Sequence, residues 1–136
     1  MEKLFEAVNH CHANNIAHRD LKPENVLVSE NFFSAIKEGH EGTLKLIDFG
    51  LAKHARSPME TIVGSAFYVA PEIVSGEYGT QCDLWSLGVL LYIPLSGTLP
   101  FKGHDAHEVL SQIAEKSVSF PEKIWGPISK EATDLI

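Results

Sequence analysis

Apolar residues at the start of the chain recur at helical spacing. Leu4, Phe5, Val8 and Cys11 share one face of residues 2–13, and Asn14-Asn15 provides a stop. The pattern predicts a packing helix. The period then shortens. Ile16-Ala17, Val26-Leu27-Val28 and Leu44-Lys45-Leu46-Ile47 are short apolar runs that read as strands; the first two bracket a polar loop and the third ends on Asp48. Residues 51–69 have no strong period and are rich in small and polar side chains, as expected of a mobile segment. The clearest apolar signal follows. Thr80-Gln81-Cys82-Asp83 has the form of a capping box, and Leu84 to Ile93 is apolar on all faces apart from Ser86 and Gly88. This predicts a helix buried at the centre of the fold. At about ten apolar residues it is too short to span a bilayer.

Pro94 comes next, a residue that costs roughly 3 kcal/mol in a helix interior. With Ser96-Gly97 just beyond it, the last turn is expected to open early. Leu99-Pro100-Phe101 reads as a rigid turn. A further helix is predicted over 105–115, with Val109, Leu110 and Ile113 on one face and Asp105 at its start. Phe120-Pro121 and Trp125-Gly126-Pro127 form an irregular packed segment, and Ser129 caps a final helix.

One connection is long for the strands it joins. Ser29 to Thr43 is a polar linker with Phe32, Phe33 and Ile36 at its centre and Gly39 and Gly42 at its end. It reads either as a surface insertion or as a partner-docking element, with the apolar three forming one helical turn against the body of the fold.

Composition narrows the classes. A chain of 136 residues, 44% hydrophobic, buries one core and is most simply one domain over 1–136. A formal charge of −7 argues against a nucleic-acid groove or an anionic membrane surface as partner and favours a basic peptide or protein. Cys11 and Cys82 have neither zinc nor redox spacing, which fits a reducing compartment. Met1-Glu2-Lys3 leads into an amphipathic pattern rather than a long apolar region, so a cytosolic setting is expected, with the nucleus also open to the protein. His10-Cys11-His12 is a poor metal site because sequence neighbours on a helix point apart. His104 and His107 lack a third ligand and read as a solvated face.

The candidate chemistry is concentrated in His18-Arg19-Asp20-Leu21-Lys22-Pro23-Glu24-Asn25. Pro23 blocks a continuing helix and biases Lys22 toward extended geometry, so the run is a loop. Asp20 can accept or orient a proton, Lys22 can neutralise a phosphoryl group, and Asn25 can offer an oxygen to a hard cation such as Mg²⁺. A solvated loop offers the same residue types. The order of the motifs separates the two readings: the run fits H-R-D-L-x-x-x-N at every fixed position, and Asp48-Phe49-Gly50 and Ala70-Pro71-Glu72 follow in turn. From residue 1 to residue 136 the chain resembles the protein kinases.

That resemblance implies an α+β fold, mainly α: the C-terminal (large) lobe of the protein-kinase fold, truncated at both ends. It implies ATP and Mg²⁺ as cofactors and a protein substrate. Asp20 would orient the acceptor hydroxyl and take its proton, Lys22 would stabilise the γ-phosphate, and Asn25 with Asp48 would hold Mg²⁺. Val28 and Leu44 would flank a tight antiparallel connection. Lys22-Pro23-Glu24 and Gly64-Ser65 ahead of Tyr68 resemble serine/threonine kinases, with Ser65 bonding Asp20 and Lys22. Arg19 resembles the arginine that pairs with an activation-segment phosphate, and Thr61 stands where that phosphothreonine falls, which makes an upstream kinase an expected partner. Glu60 offers a weaker constitutive substitute. Asp83 would brace the catalytic loop through its backbone N–H groups, His18 and Phe49 would stack above it, and Glu24 would read an arginine in the substrate.

Gly64-Ser65-Ala66-Phe67-Tyr68, Trp85-Ser86-Leu87-Gly88-Val89, Leu95-Ser96-Gly97 and Pro100-Phe101 resemble the calcium/calmodulin-regulated and calcium-dependent group. Pro94 departs from the family, where a straight apolar residue supports the adenine-side packing column. The sequence carries no EF-hand loop, no glycine-rich loop, no ATP-anchoring strand lysine and no helix glutamate to pair with it. It also stops before the arginine that pairs the glutamate matching Glu72. A buried ion pair stripped of one partner destabilises by about 3–5 kcal/mol, so Glu72 is expected to be solvated or to anchor a loosened segment. Three readings follow: part of an active serine/threonine kinase, a catalytically silent lobe that binds substrates or partners, or a product whose motifs record ancestry only. The isolated chain is expected to be marginally stable or aggregation-prone.

Overall fold

The computed structural model describes residues 1–115 and 117–136. Helix α1 spans Glu2–Ala13 and buries Leu4, Val8 and Cys11; Phe5 packs at the edge of the same face. The chain reverses at Asn15, which takes a left-handed φ of 56°. Strand β1, Ile16–Ala17, then delivers the polar loop, and β2, Val26–Val28, leaves it. Strand β3, Leu44–Leu46, pairs antiparallel with β2 in the register Val26 to Leu46 and Val28 to Leu44. The flanking role expected of Val28 and Leu44 is therefore met.

Between them, residues 29–43 contain a short helix, α2, Phe32–Lys37. Only one of its three apolar residues packs inward. Phe32 lies over Gly42, where even a methyl group would meet its ring at 2.5 Å, whereas Phe33 is 78% exposed and Ile36 is also exposed. The expected turn forms, with Phe32 beside the groove residues Leu4, Leu44 and Ile93, and a Lys3–Glu41 ion pair at 3.6 Å ties the same linker to α1.

The segment without a sequence period is tied down at several points. Strand β4, Lys53–His54, pairs antiparallel with β1, and the Ala55 N–H donates to the Asn15 carbonyl at 2.8 Å. Met59 and Tyr78 exchange backbone hydrogen bonds at 2.8 and 3.0 Å. A 3₁₀ turn at Ala66–Tyr68 is held by Ser86, whose hydroxyl donates to the Tyr68 carbonyl at 2.7 Å. These partners are distant in sequence, so local patterning could not reveal them. Helix α3, Pro71–Ser75, begins on the Pro of the Ala-Pro-Glu motif and ends on Gly76, in the left-handed region at φ 96°.

Helix α4, Cys82–Ser96, is the spine. Its Leu87 enters the cluster of Leu4, Val8 and Leu21; Cys82 enters that of Met59, Ile73 and Tyr78; Trp85 lies against that of Phe101, Val109 and Ile113. Three expectations about it need correction. It is not buried on all faces, since Leu84 is 56% exposed and Leu95 also faces outward. The capping box does not form, because the Asp83 carboxylate turns into the core. The helix also continues through Pro94 to Ser96: only one backbone donor is lost there, Gly97 closes the end in the left-handed region, and its N–H donates to the Ile93 carbonyl at 2.8 Å.

Helices α5, Ala106–Glu115, α6, Glu122–Trp125, and α7, Lys130–Leu135, complete the chain. Asp105 accepts from the Glu108 N–H at 2.9 Å, and Ser129 caps α7 by accepting from the Ala132 N–H at 3.2 Å, both as expected. The result is a mixed, mainly helical fold with two small two-stranded sheets. An open apolar groove of about 400 Å³ lies between Leu4, Val26, Phe32, Leu44, Ile93 and Pro94. No helix among the described residues is long and apolar enough to cross a membrane.

Candidate active site

The site is built on the loop between β1 and β2. Asp83, fully buried on α4, organises its backbone: Oδ2 accepts from the His18 N–H and Oδ1 from the Arg19 N–H, both at 2.8 Å. A buried carboxylate must find such donors, since an unpaired charge in the core is strongly destabilising. A third donor, His12 Nε2, reaches Oδ2 at 2.8 Å from α1. Two sequence expectations meet here. Asp83 braces the loop as the resemblance implied, and the histidine set aside as a metal ligand is part of that brace.

Arg19 sits at a left-handed φ of 68°, unusual for a residue with a side chain. Such a conformation persists only where surrounding contacts outweigh its cost. Its N–H is held by Asp83, its Nε donates to the Leu51 carbonyl at 2.6 Å, and its Nη1 donates to the Tyr78 hydroxyl at 2.9 Å. Gly64 fits against its carbonyl, where a Cβ would approach to 2.6 Å.

The polar heads then converge. The Lys22 ammonium donates to Asp20 Oδ2 at 2.7 Å and to Ser65 Oγ at 3.1 Å, and Ser65 Oγ donates to Asp20 Oδ1 at 2.9 Å. Asn25 Nδ2 donates to the Asp20 carbonyl at 2.8 Å and to Oδ2 at 3.2 Å. Burial pushes the Asp20 carboxyl up, but the Lys22 ammonium, the Ser65 hydroxyl and the Asn25 amide together hold it below the ordinary carboxylate range. Lys22 is shifted up, chiefly by its hydrogen bond to Asp20. The pair is charged at neutral pH and preorganised.

Asp48 follows β3 at a left-handed φ of 57° and accepts from the Gly50 N–H at 3.1 Å. The preceding Ile47 N–H donates to the Asn25 carbonyl at 2.9 Å, which joins the two candidate metal-binding residues through adjacent backbone. His18 Nε2 donates to the Ile47 carbonyl at 3.0 Å, and the His18 and Phe49 rings meet edge to face with centroids 4.9 Å apart. His18 is fully buried and Phe49 is exposed.

Other predicted residues lie outside this cluster. Glu24 is exposed on the same loop, Thr61 is exposed on the segment before Gly64, and Glu72 is half-buried on α3 without an ion pair among the described residues. Among the described residues no hydrogen bond joins Thr61 to Arg19 directly. The Thr61 carbonyl accepts from the Tyr78 hydroxyl at 2.6 Å, the same hydroxyl that receives Arg19 Nη1. Tyr78 and His12 are the residues that sequence reasoning missed. Both act across more than 50 residues of chain, and no motif at their own positions marks them.

Charge-paired carboxylate, ammonium and hydroxyl groups around one oxygen-rich point, with two further oxygen donors beside them, are what transfer of a phosphoryl group to a hydroxyl needs. The chain belongs to the protein kinase family: the family model for the protein kinase domain matches residues 1–136. Calcium-dependent protein kinase 3 of Plasmodium berghei (strain Anka) is 43% identical over 139 residues, covering 100% of this chain and 24% of that protein. Myosin light chain kinase A of Dictyostelium discoideum is also 43% identical over 139 residues, with 45% of its length covered. Calcium/calmodulin-dependent serine/threonine-protein kinase 1 of Oryza sativa subsp. japonica is 37% identical over 138 residues, with 22% of its length covered. The resemblance to the calcium-dependent and calcium/calmodulin-regulated group is thereby borne out. The chain spans about a quarter of the length of the Plasmodium relative.

Proposed function

We propose that this chain supplies the acceptor-and-metal half of a serine/threonine protein kinase active site, the large C-terminal lobe, and that the complete protein transfers the γ-phosphate of ATP to a Ser or Thr hydroxyl. The observation that carries the reading is the closed triangle of Asp20, Lys22 and Ser65. A carboxylate held below its ordinary range is a weak base but a strong hydrogen-bond acceptor. Asp20 therefore serves first to orient the acceptor hydroxyl and takes its proton only as the oxygen commits to phosphorus. Lys22, already beside Asp20, neutralises charge on the transferring group.

The residues present fit Mg²⁺. The Asn25 amide nitrogen is used up by Asp20, which leaves the amide oxygen for a cation, and the exposed Asp48 carboxylate follows Ile47, whose N–H bonds the Asn25 carbonyl. Both are the oxygen ligands that a hard divalent ion takes, alongside phosphate oxygens. Bound Mg²⁺ and ATP would supply the phosphoryl group and screen its charge, while these residues set its position. Ser65 ties the peptide platform to the catalytic loop, and the exposed Glu24 favours substrates with a basic residue near the phosphorylated Ser or Thr. Arg19 and Thr61 form the regulatory pair, with Thr61 phosphorylation raising activity through an upstream kinase. We place this activity in the cytoplasm.

The test is Mg²⁺-dependent phosphate transfer from ATP to a basic Ser-containing peptide by the complete protein. Asp20→Asn should lower the rate by about 10²- to 10⁴-fold with little change in melting temperature. Equal rates in the two proteins would overturn the role of Asp20. Peptide binding with no transfer in either would favour a silent binding module.

A further inference from the structure

One buried side chain links the strained residue beside Asp20 to the segment that carries Thr61, and no motif assigns it a role. Tyr78 is 2% exposed, and its position is set by two backbone hydrogen bonds to Met59. Its hydroxyl does two things at once: it accepts from Arg19 Nη1 at 2.9 Å and donates to the Thr61 carbonyl at 2.6 Å. A hydroxyl has one proton and two lone pairs, so this pattern saturates the donor and leaves one acceptor site. Arg19 needs such contacts. Its left-handed φ of 68° costs energy, and its carbonyl and N–H fix the start of the peptide that carries Asp20.

We propose that Tyr78 is a positioning residue of the phosphotransfer site: its hydroxyl ties Thr61 to Arg19, and so to the catalytic loop, in the absence of any phosphate. A phosphate on Thr61 would then add to a connection that already exists. The proposal rests on the kinase reading for its catalytic consequence only; the link itself is structural and is tested separately. Tyr78 holds Thr61 by its backbone carbonyl, so the Thr61 hydroxyl is not consumed by this tie.

The first measurement is amide hydrogen exchange of the full 136-residue chain. Tyr78→Phe removes only the hydroxyl and should raise exchange across residues 60–63 by roughly two- to ten-fold, the worth of one net hydrogen bond. Helix α4 should be unaffected. Arg19→Lys keeps the charge but loses the Nη1 tie to Tyr78 and the Nε tie to the Leu51 carbonyl while leaving the Tyr78–Thr61 hydrogen bond in place, so it should raise exchange across residues 60–63 less than Tyr78→Phe does. In ¹⁵N spectra the Arg19 guanidinium signals should broaden in Tyr78→Phe, which a purely packing role would not cause. Unchanged exchange in Tyr78→Phe, or a rise spread evenly through α4, would each overturn the link. The second measurement is phosphate transfer by the complete protein. Tyr78→Phe should fall several-fold, and phosphorylation of Thr61 should restore it more than it raises wild type. An unchanged rate in Tyr78→Phe overturns the positioning role, whereas an Asp20→Asn rate equal to wild type overturns the kinase reading and leaves the exchange result standing.

Discussion

The loop before β2 and the insertion after it begin from similar material, a polar run with a few apolar residues, and end in opposite states. In residues 18–25, His18, Asp20, Leu21 and Asn25 are buried. In residues 29–43, Phe33 and Ile36 are exposed, and the side-chain anchor is Phe32 against Gly42. The difference lies in what is underneath. The first loop crosses α4 and finds Asp83, which gives its backbone two acceptors, while Ser65 and Lys22 close around Asp20 from the other side. The insertion leaves a two-stranded sheet, and none of the side chains on its helix is fully buried, Phe32 being half-buried. Burial follows available partners, and polarity alone does not predict it.

The sharpest way to break this contrast is to remove the partner. Asp83→Ala leaves the His18 and Arg19 N–H groups and the His12 ring without their shared acceptor, and it should destabilise the chain by about 3–5 kcal/mol and abolish the phosphate transfer proposed for the complete protein. Urea unfolding reports the first effect. A loss below about 1 kcal/mol would mean that the loop is held by something other than α4.

A smaller effect separates the two faces of α2. Phe32→Ala removes the one anchored side chain and should cost about 1–3 kcal/mol, while Phe33→Ser, at an exposed position, should stay within about 0.5 kcal/mol. Equal costs would show that the insertion packs as a unit.

The smallest effect is in acid. Asp20 is held below the ordinary value of 3.8, so its network contributes stability that is fully present above that pH and is lost as pH falls through the lowered value. A ¹³C titration of the Asp20 carboxyl should show a midpoint under 3.8 that rises in Ser65→Ala. A wild-type midpoint at or above 3.8 would mean that burial dominates and that the triangle is weaker than its geometry. The two cysteines give no comparable handle near neutrality: burial pushes Cys82 up to about 12 and also raises Cys11.

Much of this was legible beforehand. The helices at 2–13 and 105–115, the three short strands and the Ser129 cap depend on local periodicity and on hydrogen bonds within a few residues, and all appear where the patterns place them. The catalytic loop was legible because its motif is contiguous. The pins on residues 51–69 were not, since β4 pairs with β1 and Met59 with Tyr78 across 19 or more positions. The spine helix was read too simply. Its all-round apolar pattern implied full burial, yet Leu84 and Leu95 remain uncovered, and the acidic residue at its start serves the loop rather than its own N-terminus.

By itself, then, the sequence determined which family the chain belongs to and which residues are the candidates for its chemistry, because residue type and spacing within eight positions are enough to single out Asp20, Lys22 and Asn25. Only the tertiary structure decided how those residues are held. Asp83 reaches back 65 positions to His18, Ser65 reaches 45 to Asp20, and Tyr78 joins Arg19 to Thr61. The physical reason is that a buried polar group accepts any correctly placed donor wherever it lies in the chain, so its partner is chosen by packing and leaves no periodic trace.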